Sequence, residues 1–254
     1  DGLVPWQAED SEDQEAAGKH KEVVAQSGSD AVVSVRSAVR IVGNDSSRNH
    51  QPHAAAIRHL RRRDSTMADV IRHVGACQLT RRGGRFDVLA RSILSQQISV
   101  QAARTIRRRL QGLLPGRRIS AAGIDRLSDA DLQSVGISQQ KRGYLRDLTG
   151  HVAAGTVNFR RLARSSDEAV ITELTTVRGV GRWTAQMFLL SGLGRPDIFA
   201  PDDLGLKNAI KSLYGLSGRP TTEQLEEIAE CWAPYRSVAS WYLWRSLDMP
   251  LNAD

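Results

Sequence analysis

The chain has 254 residues, 41% of them hydrophobic, which is enough for one large or two small domains with a proper buried core. Its 35 Lys and Arg against 28 Asp and Glu leave a net charge of +7, a balance that suits a polyanionic partner and equally suits an arginine-rich solvated face. Two cysteines, Cys77 and Cys231, are too few for a disulfide framework or a four-thiolate metal or iron–sulfur site, and no apolar run approaches the roughly 18 residues of a membrane span.

Residues 1–52 read as a polar tail, acidic through Glu9, Asp10, Glu12, Asp13 and Glu15, and are expected to be disordered. Its apolar stretch around Val32, Val33 and Val35 reads as a short strand, a short helix or spurious sequence. The start at Asp1 is read as a trimmed N-terminus, so no targeting segment is assigned. From Ala54 onward the periodicity is helical almost without interruption. Phe86, Leu89, Ile93 and Leu94 share one face, and Ile98, Ala102, Ile106 and Leu110 share the next. Ser128 with Asp131, Asp167 ahead of Glu168, and Thr221 or Thr222 ahead of Glu223 and Gln224 mark helix starts. Gly136, Gly179, Gly181 and Gly215 mark turns. The expectation is an all-α domain over 53–254, of about eight to ten helices.

Two segments carry chemistry. In Thr175-Thr176-Val177-Arg178-Gly179-Val180-Gly181-Arg182-Trp183-Thr184, a helix ending at Val177, a Gly-x-Gly turn and a new helix near Arg182 leave backbone N–H groups pointing outward. Such a turn either joins two packed helices or clamps a phosphate, with the helix dipole and Arg182 adding positive potential. In Pro201-Asp202-Asp203, both aspartates serve as helix caps, or one is a working carboxylate.

The hairpin over 174–190 resembles that of the helix-hairpin-helix DNA glycosylases. Ser92-Ile93-Leu94-Ser95-Gln96-Gln97-Ile98-Ser99-Val100-Gln101-Ala102-Ala103, Gly-Val-Gly-Arg-Trp-Thr-Ala, Pro-Asp-Asp and Trp232-Ala233-Pro234-Tyr235-Arg236-Ser237 together resemble the 3-methyladenine DNA glycosylase II branch, over about Ala54 to Pro250. The resemblance implies two helical subdomains with the active-site cleft between them. It implies a monofunctional enzyme of base excision repair that hydrolyses the N-glycosidic bond of flipped alkylated purines such as 3-methyladenine and 7-methylguanine. The rival readings are a glycosylase for a deaminated or oxidised base and a non-catalytic DNA-binding module.

Carried over by position, Asp203 is the catalytic carboxylate and Asp202 the helix cap. Trp183 stands where bifunctional members carry a Schiff-base lysine, so no strand cleavage is expected. Trp183, Met187 and Trp244 are the candidate base-pocket residues; Trp232 and Trp241 are expected in the core. Gln96, Gln97, Ile98, Gly179, Val180, Gly181, Arg182 and Thr184 are expected at the DNA, with Gln97 or Ile98 as the wedge that fills the vacated stack, although a mere polar turn capped by Ser99 accounts for the same residues. The carbonyls of Thr175, Val177 and Val180 are implied ligands of a structural Na+ or K+, and catalysis is expected to need no cofactor. Double-stranded DNA is the expected partner of a monomer, cytoplasmic at the nucleoid in a bacterium or nuclear in a eukaryote.

Overall fold

The computed structural model describes residues 53–81 and 83–248, so the expected tail over 1–52 lies outside the described residues. All regular structure among the described residues is helical. Helices α1 (Ala54–Arg63) and α2 (Ser65–Val74) meet at a corner on Asp64. After a loop come α3 (Arg85–Ser95), α4 (Val100–Leu113), α5 (Ala121–Arg126), α6 (Asp129–Ser134), α7 (Gln139–Ala153), α8 (Phe159–Leu162) and α9 (Asp167–Leu174). The chain closes with α10 (Arg182–Met187), which continues as a wider π-helical turn over Phe188–Leu193, then α11 (Leu204–Leu213), α12 (Thr222–Glu230) and α13 (Arg236–Leu247). These thirteen helices exceed the eight to ten expected, because several of one or two turns are separated by tight corners that periodicity merges.

The readable helix starts hold in two cases. Ser128 with Asp131 and Thr221 with Gln224 form reciprocal capping boxes. The cap of α9 is Ser166, one residue before the expected Asp167, and Asp167 and Glu168 occupy the first turn instead, where the helix dipole favours acidic side chains. The same helix stops at Leu174 rather than Val177.

Packing divides the helices into two sets. Helices α1, α2 and α11 pack around α13; α3 packs on α4, α7, α10 and the π-helical turn, and α5 and α6 pack on α7. This is the expected pair of helical subdomains. Asp64 ties the first set together: its carboxylate caps α2 through the Met67 N–H at 2.9 Å and accepts the Trp232 indole N–H at 2.7 Å and the Tyr214 hydroxyl. Trp232, Tyr242 and Trp244 are fully buried here. Each such side chain contributes roughly 1.5–3 kcal/mol of transfer free energy. The seam between the two sets is where the site forms.

Candidate active site

Asp203 sits at the start of α11 with 3% of its surface exposed. Its position is set by the loop before it, which is stitched to the N-terminus of α13. Asp197 accepts Nε–H and Nη2–H of one edge of the Arg236 guanidinium, each at 2.7 Å. Ser237 donates its hydroxyl to the Arg195 carbonyl at 2.7 Å and accepts the Ile198 N–H at 3.0 Å. Gln186 of α10 reaches the Phe199 carbonyl at 3.1 Å. The Arg236 guanidinium beside Asp197 holds that carboxyl below the ordinary aspartate range.

Three N–H donors converge on the Asp203 carboxylate. Oδ1 accepts from Trp244 Nε1 at 2.9 Å and from the Leu206 N–H at 2.8 Å, while Oδ2 accepts from Trp183 Nε1 at 2.8 Å. Indole and backbone N–H groups only donate, matching an ionised carboxylate that only accepts. Oδ1 has used both of its lone-pair directions and Oδ2 one, so the remaining acceptor direction belongs to Oδ2. The expected division of labour between the two aspartates is corrected here. Asp203 itself is the N-cap of α11, because its oxygen reaches the N–H three residues on; Asp202 is exposed, caps nothing, and pairs with Lys207 at 3.2 Å.

Trp183, Met187 and Trp244 line one cavity, between α3, α4, α10 and α13, across the seam of the two subdomains. Both tryptophans therefore turn a ring to the cavity wall and an N–H to Asp203. Trp244 is fully buried, so it serves the cavity as a wall rather than as an exposed platform. The structure also brings in three residues that sequence reasoning did not assign to a pocket: Arg91, Arg107 and Trp241. Arg91 pairs with Asp87 at 2.7 Å. Trp241 is buried as expected of core, yet faces the same cavity.

The hairpin follows α9. Gly179 has φ +81°, and a Cβ there would lie 2.2 Å from the Tyr144 ring of α7, so only glycine fits. Gly181 differs: it caps α10 at φ −90°, and a Cβ added there meets nothing within 4 Å. The folded chain itself does not require glycine at 181, and the absent side chain leaves the first turn of α10 open to a close approach. Three side chains from the neighbouring helices brace the turn. Tyr144 packs on Gly179, Asp147 accepts the Arg178 N–H at 2.8 Å, and Gln96 donates its amide to the Gly179 carbonyl at 2.8 Å. Gln96 was expected at DNA; its side chain is instead committed to the hairpin. Thr184 is corrected likewise, since the third position of α10 faces the core and is 3% exposed. Arg182 is exposed and held by Glu168 at 2.7 Å. Between α3 and α4, Gln97 is exposed with a left-handed φ of +55°, Ile98 is half-buried, and Ser99 caps α4.

Residues 90–234 match the HhH-GPD superfamily of base excision DNA repair proteins. The chain belongs to this superfamily. The HhH-GPD chain is 32% identical over 169 residues to a putative DNA-3-methyladenine glycosylase of Bacillus subtilis, covering 64% of itself and 59% of that relative's length. It is 30% identical over 165 residues to DNA-3-methyladenine glycosylase 1 of Schizosaccharomyces pombe, covering 63% of itself and 72% of the relative. The solved 3-methyladenine DNA glycosylase of S. pombe in complex with abasic DNA superposes with a TM-score of 0.73 at 27% identity, over 79% of this chain and 100% of that one. A DNA-3-methyladenine glycosidase from Bacillus halodurans gives 0.67 at 34% identity, over 75% and 88%.

In this HhH-GPD chain the three hairpin carbonyls differ in how far they are committed. The Val177 carbonyl accepts the Val180 N–H at 3.0 Å, whereas no backbone hydrogen bond of the hairpin ends on the carbonyls of Thr175 or Val180. A set of neutral oxygen donors fits an alkali cation, a hard ion that prefers oxygen. No cluster of three or more His, Cys, Asp or Glu suited to a metal occurs among the described residues. Burial pushes the Cys77 thiol up to about 11, which removes it as a thiolate nucleophile.

Proposed function

We propose that the chain is a monofunctional DNA glycosylase of base excision repair that hydrolyses the N-glycosidic bond of flipped alkylated purines such as 3-methyladenine and 7-methylguanine. The observation that carries this reading is the Asp203 carboxylate, gripped by two indoles that also wall a cavity. Cleaving a base from deoxyribose builds positive charge on the sugar, and a fixed carboxylate beside it stabilises that charge without reorganising at the moment of reaction. The open direction on Oδ2 serves to orient the attacking water or take its proton. Alkylation at a ring nitrogen makes the purine cationic and a better leaving group, and electron-rich indole faces favour it.

DNA is held from the hairpin, where the open first turn of α10 at Gly181 and the guanidinium of Arg182 suit a phosphate. Thr175, Val177 and Val180 would hold an alkali cation at the same turn, supplying further positive charge for the phosphate. Gln97, at the exposed tip between α3 and α4, is the wedge that fills the space of the flipped nucleotide. Trp183 offers no amine to attack the sugar, so the product is an intact strand carrying an abasic site. The names and structures of the relatives support the same reading.

The test is incubation of the protein with methylated duplex DNA, followed by analysis of free bases and of strand integrity. Release of 3-methyladenine and 7-methylguanine with an uncut strand is expected. Strand cleavage by β-elimination removes the monofunctional claim, and binding without release leaves a DNA-binding module.

A further inference from the structure

The cavity holds a polar atom that the mechanism above does not use. Trp241 is 2% exposed, lines the cavity beside Trp183, Met187 and Trp244, and its Nε1–H is buried with no acceptor among the described residues. Leaving a buried donor without an acceptor is costly, and native structures rarely do so without a functional reason. The ring is held in place: Tyr242 meets it edge-on at 4.9 Å and the Arg245 guanidinium lies 5.5 Å from its centroid. An indole N–H only donates, so the missing partner is an acceptor. Arg91 and Arg107 lie on the same wall, and no Asp or Glu among the described residues lines the cavity. Its three serines are already turned to their own helices, Ser92 to the Val88 carbonyl, Ser95 to the Ser92 carbonyl and Ser191 to the Met187 carbonyl. The wall is therefore rich in donors and in positive potential, and holds no carboxylate for an exocyclic amino group.

We propose that Trp241 is a specificity-determining residue whose indole N–H, on a wall that Arg91 and Arg107 make positive, donates to the 6-oxo oxygen of the flipped base, so that the pocket favours 6-oxopurines over 6-aminopurines. The inference rests on the glycosylase reading and narrows it. In the alkylated series it places 7-methylguanine ahead of 3-methyladenine. It also admits hypoxanthine, which carries the same oxygen and no positive charge for the two arginines to repel. A site built around a hydrogen-bond donor discriminates strongly against a base that leaves the donor unpaired.

The experiment compares single-turnover release from duplexes containing 7-methylguanine, hypoxanthine or 3-methyladenine, by wild type and by Trp241→Phe, which keeps an aromatic ring and deletes the N–H. The readout is the ratio of oxo-base to amino-base release within each protein, which does not depend on how much of a variant folds. A fall in both ratios of about tenfold is expected in the variant, as for loss of one buried hydrogen bond. Inhibition of the wild type by the free bases gives a measure that needs no variant, and 7-methylguanine is expected to inhibit at lower concentration than 3-methyladenine. Ratios unchanged within twofold, or inhibition equal or reversed, overturn the assignment of Trp241 while leaving the glycosylase reading intact. Release of none of the three bases by the wild type overturns both.

Discussion

Trp244 donates its indole N–H to Oδ1 of Asp203 at 2.9 Å, although 41 residues and the whole of α11 and α12 separate them in the chain. Trp183 grips the other oxygen from the opposite subdomain. The carboxylate is thus clamped from both sides of the seam, and any slippage of the two helical sets moves the donors relative to it. Trp244→Phe and Trp183→Phe each remove one hydrogen bond to a charged acceptor, an interaction of about 1.5–3 kcal/mol. Single-turnover base release is expected to fall by roughly tenfold to a hundredfold in each. Only Trp244→Phe is expected to lower the melting temperature clearly, because Trp244 is fully buried and Trp183 is not. Rates equal to wild type would show that the donors do not set the working geometry.

The two hairpin glycines separate folding from binding. Gly179→Ala meets both a left-handed backbone and the Tyr144 ring, so destabilisation beyond the ~1–2 kcal/mol of the backbone term alone is expected in chemical denaturation. Gly181→Ala meets open space and is expected to melt as wild type does. Its DNA affinity is expected to fall roughly tenfold as the methyl group holds a phosphate off the first turn of α10. Equal behaviour of the two variants in both assays contradicts this division.

The sequence conveyed much of this because the relevant signals are local. Helical periodicity, two capping boxes and the Gly-x-Gly turn are all written in residues close in the chain, while the place of Asp203 came from the resemblance to the glycosylases. What was not readable depends on contacts far apart in sequence. Pro201-Asp202-Asp203 offers two adjacent caps, and only the path of the loop pinned by Arg236 and Ser237 decides that Asp203 reaches the Leu206 N–H. Gln96 reads as a DNA contact until the hairpin is folded against it across 83 residues. Trp241 and Trp244 lie three apart on a helix that is buried nearly all round, so no amphipathic pattern tells which ring meets a cavity. Arg107 belongs to a run of three arginines, and nothing in that run marks the one that turns inward.

Arg182 is engaged by Glu168 in the free protein, an exposed pair whose guanidinium a phosphate must take over. Glu168→Gln releases Arg182 from that competition. DNA is expected to bind the variant more tightly, with the difference shrinking as salt is raised from about 50 to 200 mM. Weaker binding by the variant would instead make Glu168 a support that orients Arg182 for DNA.

The ion pair of Asp197 with Arg236 links stability to pH. The pair lowers the folded-state pKa of Asp197 from the ordinary 3.8, so its contribution is present above that value and is lost as the pH falls below it through the lowered folded pKa. Asp197→Asn is expected to melt lower than wild type at neutral pH and to lose less stability than wild type between neutrality and strong acid. Parallel melting curves across that range would exclude the linkage.

The most direct test of the central claim is single-turnover base release from methylated duplex DNA by wild type and by Asp203→Asn, with DNA binding measured in parallel. Asparagine is as good a helix cap as aspartate, so α11 keeps its start, while the amide NH2 that replaces Oδ2 gives up the Trp183 hydrogen bond. Loss of release at undiminished DNA affinity is the result expected of a carboxylate that stabilises the charged sugar. Release at the wild-type rate by Asp203→Asn would contradict the account, leaving Asp203 as the cap of α11 and no more.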